Sequence, residues 1–280
     1  MDRHCYPRWY DLPDHTSRLY AVPLLDRSST TDTGIDLDNS TFLSIIIPAY
    51  NEENRLPDTL ESVVAFIKQQ SYQAEILVVE NGSQDRTLQV AEEFAKQNTN
   101  IRVIHEVARG KGLAVRTGML AAVGDYRFMC DADLSMPIEE LNRFLPPEQP
   151  DADIVIGSRE AAGAVRYDEP IYRHLGGRFV NGLIRWAALS GLQDTQCGFK
   201  CFRADVAEDL FSFQTINGWS FDIEILYIAK LRNYNIVELP IPWYYFTESH
   251  VQPVKDSIRL SLDILDIRRN ASRGMYDQKN

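Results

Sequence analysis

An α/β fold, with an open and mostly parallel sheet flanked by helices, is what this sequence predicts, on three observations. From Phe42 onward, strand-like and helix-like patterns alternate, as they do in chains built of strand–helix units. The first strand, Leu43-Ser44-Ile45-Ile46-Ile47, is a continuous branched run rather than an alternating one, the pattern of a parallel strand covered on both faces. Three successive strands end in polar, acidic segments, and ligands of such sheets bind beyond the carboxyl ends of the strands.

Each element follows from its own pattern. Leu56, Leu60, Val63, Val64 and Ile67 recur at helical spacing, with Pro57 in the first turn. Ile76 to Val79 is the next strand, and Asp85 to Gln97 a helix whose apolar stripe is Leu88, Ala91, Phe94 and Ala95. Ile101 to Ile104 reads as strand, Gly112 to Val123 as helix, Tyr126 to Cys130 as strand and Ile154 to Ile156 as strand. The last third is less regular and mainly helical, at Phe221 to Leu231 and Val254 to Ile267, separated by the strand-like Ile236 to Leu239. The expected organisation is an N-terminal extension over 1–40, an α/β domain over 41–250, and a C-terminal amphipathic helix and tail over 251–280. Ser28 to Gly34 reads as a linker, while Trp9, Tyr10, Leu24 and Leu25 are apolar enough to pack on the domain or on a second copy, leaving a homo-oligomer open.

Composition narrows the function. The 280 residues are 44% hydrophobic and 25% charged, as in soluble globular proteins. A net charge of −11 argues against a nucleic-acid partner, whose backbone it would repel. No apolar run approaches the roughly 18 residues that span a bilayer, and Asp2, Arg3 and His4 do not open a secretory signal. The cysteines Cys5, Cys130, Cys197 and Cys201 show no pairing or zinc spacing, and Gly198-Phe199-Lys200 reads as a strand separating the last two. A reduced, cytoplasmic setting follows.

The most pointed motif is Asp131-Ala132-Asp133, closing the apolar run Tyr126 to Cys130. Alternate residues of an extended backbone share a side, so both carboxylates can converge on one hard cation that keeps positions open for phosphate oxygens. The same spacing at Asp36/Asp38 and Asp151/Asp153 shows that the pattern alone means little; its place at a strand end sets it apart. The other polar strand ends are Pro48-Ala49-Tyr50-Asn51-Glu52-Glu53 and Glu80-Asn81-Gly82-Ser83-Gln84-Asp85. Glycine there permits a tight turn, Ser83 or Asp85 can cap the next helix, and the acids suit ribose hydroxyls or a base edge. Gly110-Lys111-Gly112 offers a cation at a helix start; it can neutralise phosphates or be an exposed helix-initiating loop. Its spacing fits neither a Walker loop nor a dinucleotide fingerprint.

Together these motifs resemble the family 2 glycosyltransferases of the GT-A (Rossmann-like) fold, within them the polyprenyl-phosphate group. Gly157-Ser158-Arg159, Asp194-Thr195-Gln196-Cys197-Gly198-Phe199-Lys200 and Trp219-Ser220-Phe221-Asp222-Ile223-Glu224 extend the likeness, in order, from Phe42 to Ile267. The resemblance implies a nucleotide-diphosphate sugar donor, with UDP-glucose favoured and GDP-mannose possible, and Mg²⁺ or Mn²⁺. It implies that Pro48, Tyr50, Glu52, Glu80, Asn81, Asp85, Lys111, Asp131 and Ala132 line the donor pocket and that Asp133, with Asp131, ligates the metal. Arg159, Arg173 and Lys200 become candidates for the acceptor phosphate, and Gln196 and Trp219 for the sugar pocket. Two departures stand out. The nucleotide turn reads Glu80-Asn81 where Asp-Asp is common, and Ser135 stands where mannosyl relatives often carry Gln.

A lipid-phosphate acceptor is already ionised, so it needs alignment and charge neutralisation rather than a strong base, and direct displacement inverts the anomeric centre. A saccharide or other hydroxyl acceptor would need a base, for which Asp222 is the candidate. A non-catalytic nucleotide-sugar sensor would have no need of the intact acidic pair. Contact with the cytoplasmic membrane face, without spanning it, falls to Val254 to Ile267 with Ile258, Leu260, Leu262, Ile264 and Leu265, helped by Arg268, Arg269 and Arg273. The same stretch could instead pack on the domain.

Overall fold

A computed structural model of the chain describes residues 40–170, 182, 184, 188–245 and 253–277, with backbone alone for 253–258. The strands are β1 (Leu43–Ala49), β2 (Ala74–Glu80), β3 (Ile101–His105), β4 (Tyr126–Met129), β5 (Ile154–Ser158), β6 (Val165–Tyr167), β7 (Lys200–Arg203), β8 (Ile236–Pro240) and β9 (Pro242–Tyr244). The α-helices are α1 (Leu56–Ile67), α2 (Thr87–Gln97), α3 (Lys111–Ala121), α4 (Ala204–Ser212), α5 (Phe221–Leu231) and α6 (Pro253–Ser272), with a 3-10 helix at Ile138–Phe144.

Seven strands form one sheet in the order β3-β2-β1-β4-β7-β5-β8, and β6 pairs with β9 in a small second sheet. The first four strands are parallel. β7 enters antiparallel between β4 and β5, while β5 and β8 are again parallel. The expected fold class is therefore observed. Alternation of side chains gives the sheet two cores. Ile45 and Ile47, with Ile76, Val78 and Phe128, face α1 and the 3-10 helix. Ile46, with Leu77, Val79 and Met129, faces α3, α4 and α5. Full burial of side chains this size stabilises the fold by about 1.5–3 kcal/mol each, which explains why β1 is an unbroken branched run.

Three details differ from the sequence-based expectation. The strand expected between Cys197 and Cys201 begins at Lys200 rather than Gly198, leaving Cys197 and Gly198 in the preceding loop; Cys130, Cys197 and Cys201 are free and buried. α2 begins at Thr87, because Asp85 acts from outside the helix, its Oδ1 accepting from the Thr87 amide at 3.0 Å. α6 divides its apolar residues. Leu260, Ile264 and Ile267 are buried in the core, while Leu262 and Leu265 are 57% and 62% exposed. Packing on the domain thus claims one face of that helix. Among the described residues, no helix is long and apolar enough to cross a membrane.

Candidate active site

The polar ends of β1 and β2 are latched to each other. Asn51, at φ +54°, donates its N–H to Ser83 Oγ at 3.0 Å and accepts from the Gln84 amide at 2.9 Å. The Glu52 amide reaches Thr87 Oγ1 at 2.8 Å, and that of Glu53 reaches Asp85 Oδ2 at 3.1 Å. Burial works to raise Asp85, but the Thr87 hydroxyl and amide on Oδ1, with the Glu53 amide, hold it below its usual pKa. Glu52 pairs with Arg55 at 2.6 Å. Glu80 is buried, accepts from the Ser83 amide at 2.5 Å and lies 2.5 Å from His105 Nδ1 at the end of β3. The buried Asn81 donates its amide to Ala49 O at 3.1 Å. Pro48 and Ala49 finish β1, and Arg109 stacks on the ring of Tyr50, 5.1 Å from its centroid.

β4 delivers the acidic pair, in a turn rather than an extended segment. The Leu134 amide donates back to Asp131 O at 3.2 Å with Leu134 itself at φ +43°, an unusual conformation for a branched side chain. Ala132 O accepts from Thr59 Oγ1 at 2.6 Å, and Asp133 Oδ1 accepts from the Ser135 amide at 3.0 Å. Lys111, at the start of α3, places Nζ 2.7 Å from Asp131 Oδ1 and 4.9 Å from the centroid of the Trp219 ring. On the other side of Asp131 there is no room for a side chain. A Cβ added to Gly198 would sit 1.9 Å from Asp131 Oδ2.

Burial and the neighbouring Asp131 charge push the Asp133 carboxyl above its ordinary pKa, against the opposing Ser135 bonds and Lys111. Burial alone would lower Lys111, but Asp131 first, then Asp222 and Asp133, hold it above the usual lysine value.

Beyond the pair lie two buried ion pairs. Arg159, after β5, grips Asp194 through Nε at 2.6 Å and Nη2 at 2.9 Å, and its amide adds a third bond at 3.0 Å. Its guanidinium lies 5.5 Å from the centroid of Trp243, with Arg166 near the same ring at 5.7 Å. Burial would raise Asp194, but Arg159 pulls it down to about 2; Arg159 is raised, Asp194 outweighing burial. Lys200 is only 1% exposed, its Nζ 2.7 Å from Asp222 Oδ1. Burial raises the Asp222 carboxyl, and Lys200 and Lys111 partly offset it.

The sequence-predicted residues therefore fall into groups. Lys111 meets Asp131 and Trp219, with Ala132 and Asp133 in the same turn, while Lys200 and Asp222 pair with each other and reach this group through the charge of Asp222 on Lys111. Pro48, Tyr50, Glu52, Glu80, Asn81 and Asp85 form the neighbouring latched loops. Arg159 stands with Asp194, and the half-buried Gln196 donates its amide to Asp194 at 3.3 Å. Arg173 lies outside the described residues. Sequence reasoning gave no role to Gly198, His105 or Asp194. Gly198 and Asp194 lay within a quoted motif, but a close approach and a long-range ion pair leave no local pattern. Among the described residues, no group of three or more His, Cys, Asp and Glu side chains could hold a metal; the oxygen donors at hand are those of Asp131 and Asp133.

Residues 44–211 match the model of glycosyl transferase family 2. A dolichyl-phosphate beta-glucosyltransferase of Dictyostelium discoideum is 32% identical, over 87% of this chain and 79% of its own. The human protein of that name is 32% identical, over 84% and 77%. Among solved structures, glucosyl-3-phosphoglycerate synthase of Mycobacterium tuberculosis, in a complex with Mn²⁺, UDP-glucose and phosphoglyceric acid, superposes with a TM-score of 0.58. It is 18% identical, over 81% of this chain and 79% of that one, and so speaks for the fold. Taken with the ordered motifs from β1 to α5, these matches establish that the chain belongs to glycosyl transferase family 2.

Proposed function

We propose that this chain is an inverting hexosyltransferase that moves glucose from UDP-glucose onto the phosphate of a polyprenyl lipid, at a membrane surface that it touches without spanning. The observation that carries this is the set of relatives named dolichyl-phosphate beta-glucosyltransferase, 31–33% identical over 77–80% of their own lengths. The geometry supports the donor half of the chemistry. Two carboxylates at a strand end, one of them pushed toward protonation by burial and its neighbour, form a donor set that fits a hard divalent cation. Asp133, with Asp131, would hold Mg²⁺ or Mn²⁺. When bound, that ion supplies charge neutralisation at the leaving diphosphate.

The rest falls to side chains of the chain itself. The Glu80 and Asp85 turns, fixed by backbone hydrogen bonds, present a rigid edge to the nucleoside. Lys111, kept charged beside Asp131, neutralises the departing diphosphate. Trp219 and Gln196 border the sugar. An oxygen of the acceptor phosphate attacks C1 of glucose as the bond from C1 to the diphosphate oxygen breaks, turning an α-linked donor into a β-linked product. Arg159 aligns that phosphate. No proton has to be removed from an ionised phosphate, which leaves Asp222 free to stay paired with Lys200.

The test is transfer of labelled glucose to dolichyl phosphate, with and without Mn²⁺, beside a panel of nucleotide sugars including GDP-mannose. Lipid-linked glucose from UDP-glucose, lost on chelation, is the expected result. UDP release only when a hydroxyl acceptor is supplied would refute the lipid acceptor and make Asp222 the base. Transfer from GDP-mannose alone would refute the donor.

A further inference from the structure

Glu224 is a buried carboxylate to which the chemistry above assigns nothing. It lies in the first turn of α5, where acids are favoured by the helix dipole, yet its contacts reach well outside that helix. Oε2 accepts from the amides of Thr215 at 3.0 Å and Ile216 at 2.8 Å. Oε1 accepts from the hydroxyls of Thr215 at 2.5 Å and Tyr276 at 2.7 Å. Four donors on one solvent-free carboxylate make a strongly held anchor.

What it anchors is the segment that seats Lys111. Gln214 Nε2 bridges Gly112 O at 2.8 Å and Ile216 O at 2.7 Å, and the Leu113 amide donates to Asn217 O at 3.2 Å. Both glycines flanking Lys111 press on the same segment. A Cβ at Gly110, which sits at φ +154°, would lie 2.3 Å from Asn217 O, and one at Gly112 would lie 2.7 Å from Ile216 O. Residues 215–218 thus form the wall against which the Lys111 turn is moulded, and Trp219, next in the chain, covers its ammonium. The wall has a second support from the C-terminal segment. Asn270 of α6 donates to Thr215 Oγ1 and to the Tyr276 hydroxyl, both at 3.3 Å.

We propose that Glu224 is the positioning residue of the donor site and that Tyr276 is its partner: together they fix residues 215–219, and through that wall they hold Lys111 on Asp131. Neither touches the reacting atoms. In its enzymatic arm the proposal rests on the glucosyltransferase reading, so the experiment has one arm that does not.

The first arm measures acetylation of Lys111 by an amine-reactive ester, read by peptide mass spectrometry in the full chain. Lys111 is protected in the wild type by burial and its ion pair. In Tyr276→Phe and Glu224→Gln its labelling rises by about 10-fold or more, the scale of one lost hydrogen bond to a charged group. The second arm measures transfer, where KM for UDP-glucose rises by a similar factor while KM for dolichyl phosphate stays within about twofold. Glu224→Ala exceeds both milder variants if it folds, and Glu224→Gln, which keeps an acceptor for the two amides, recovers part of the loss. Unchanged Lys111 labelling in both mild variants, with only a lowered melting temperature, would overturn the proposal. Failure of the wild type to transfer glucose would sink the glucosyltransferase reading and leave the labelling result to decide the positioning role.

Discussion

The two halves of the site handle charge in opposite ways. On the donor side, Asp85 is held by backbone amides and Glu52 by Arg55, while Asp131 and Asp133 crowd together with Lys111 on Asp131 alone. Burial and like charge raise Asp133. On the far side the acids are matched by bases: Arg159 holds Asp194 down to about 2, Lys200 sits on Asp222, and Arg166 is shared by the half-buried Glu160 and Glu169 at 2.5 and 2.7 Å. The crowded pair has only Lys111 beside it, on Asp131, and in the proposed function a divalent cation would complete it. The far-side pairs are complete, so an incoming phosphate must share or displace an existing partner.

The contrast breaks most visibly at Asp133. Asp133→Ala should lower transfer on the order of 10³-fold and remove the Mn²⁺ dependence of UDP-glucose binding. Because it also relieves repulsion with Asp131, the melting temperature should hold or rise. Unchanged calorimetric titration of donor and Mn²⁺, or a sharp loss of stability, would place Asp133 among the completed pairs instead. Gly198→Ala comes next. Its Cβ would overlap Asp131 Oδ2 at 1.9 Å, so Asp131 must move, and displacement of a catalytic group by about 1 Å costs on the order of 10²-fold in rate. Wild-type kcat/KM in that variant would show that Asp131 needs no fixed seat.

These residues also mark how far the sequence could be read. The parallel half was legible almost residue by residue, because Leu43 to Ile47 and the stripes of α1 and α2 carry their periodicities locally. The acidic pair was legible from its position, though its turn was not: Leu134 at φ +43° is fixed by the Asp131 carbonyl and by burial, not by a turn-forming residue. The antiparallel β7 was only half visible, since its two neighbours, β4 and β5, are far away in sequence. Asp194, Gly198 and Glu224 were hidden for a common reason. Their roles lie in contacts with Arg159, Asp131 and Thr215, and one-dimensional spacing does not encode who faces whom. α4 was missed although Val206, Ala207, Leu210 and Phe211 form a good stripe, which the motif on either side of it obscured.

The completed pairs predict an acid-labile far side. With a folded pKa near 2 against an unfolded 3.8, Asp194 contributes stability that is fully present above about pH 4. That contribution fades as pH falls toward 2 and amounts to roughly 2 kcal/mol. Urea unfolding should therefore show a loss between pH 4 and pH 2 that Asp194→Asn no longer shows, while Asp194→Asn is itself less stable at neutral pH by about 3 kcal/mol, having stranded Arg159. An identical acid limb in wild type and variant would remove Asp194 as its source. Asp133 works with the reverse sign, since a raised carboxyl is relieved by protonation.

The smallest expected effect lies in the donor-side latch, where the load is spread over many weak bonds. Asn51 holds φ +54° and links Ser83 and Gln84. Asparagine tolerates that conformation and glycine adopts it freely, whereas alanine pays about 1–2 kcal/mol for a left-handed backbone. Both substitutions remove the same side-chain acceptor from the Gln84 amide, which is exposed and can turn to water. Asn51→Gly should then stay within about 0.5 kcal/mol of wild type in urea unfolding, and Asn51→Ala should fall about 1–2 kcal/mol below it. If the two variants lose equally, the side-chain bond and not the backbone conformation holds the β1 end, and the donor side depends on single contacts much as the far side does.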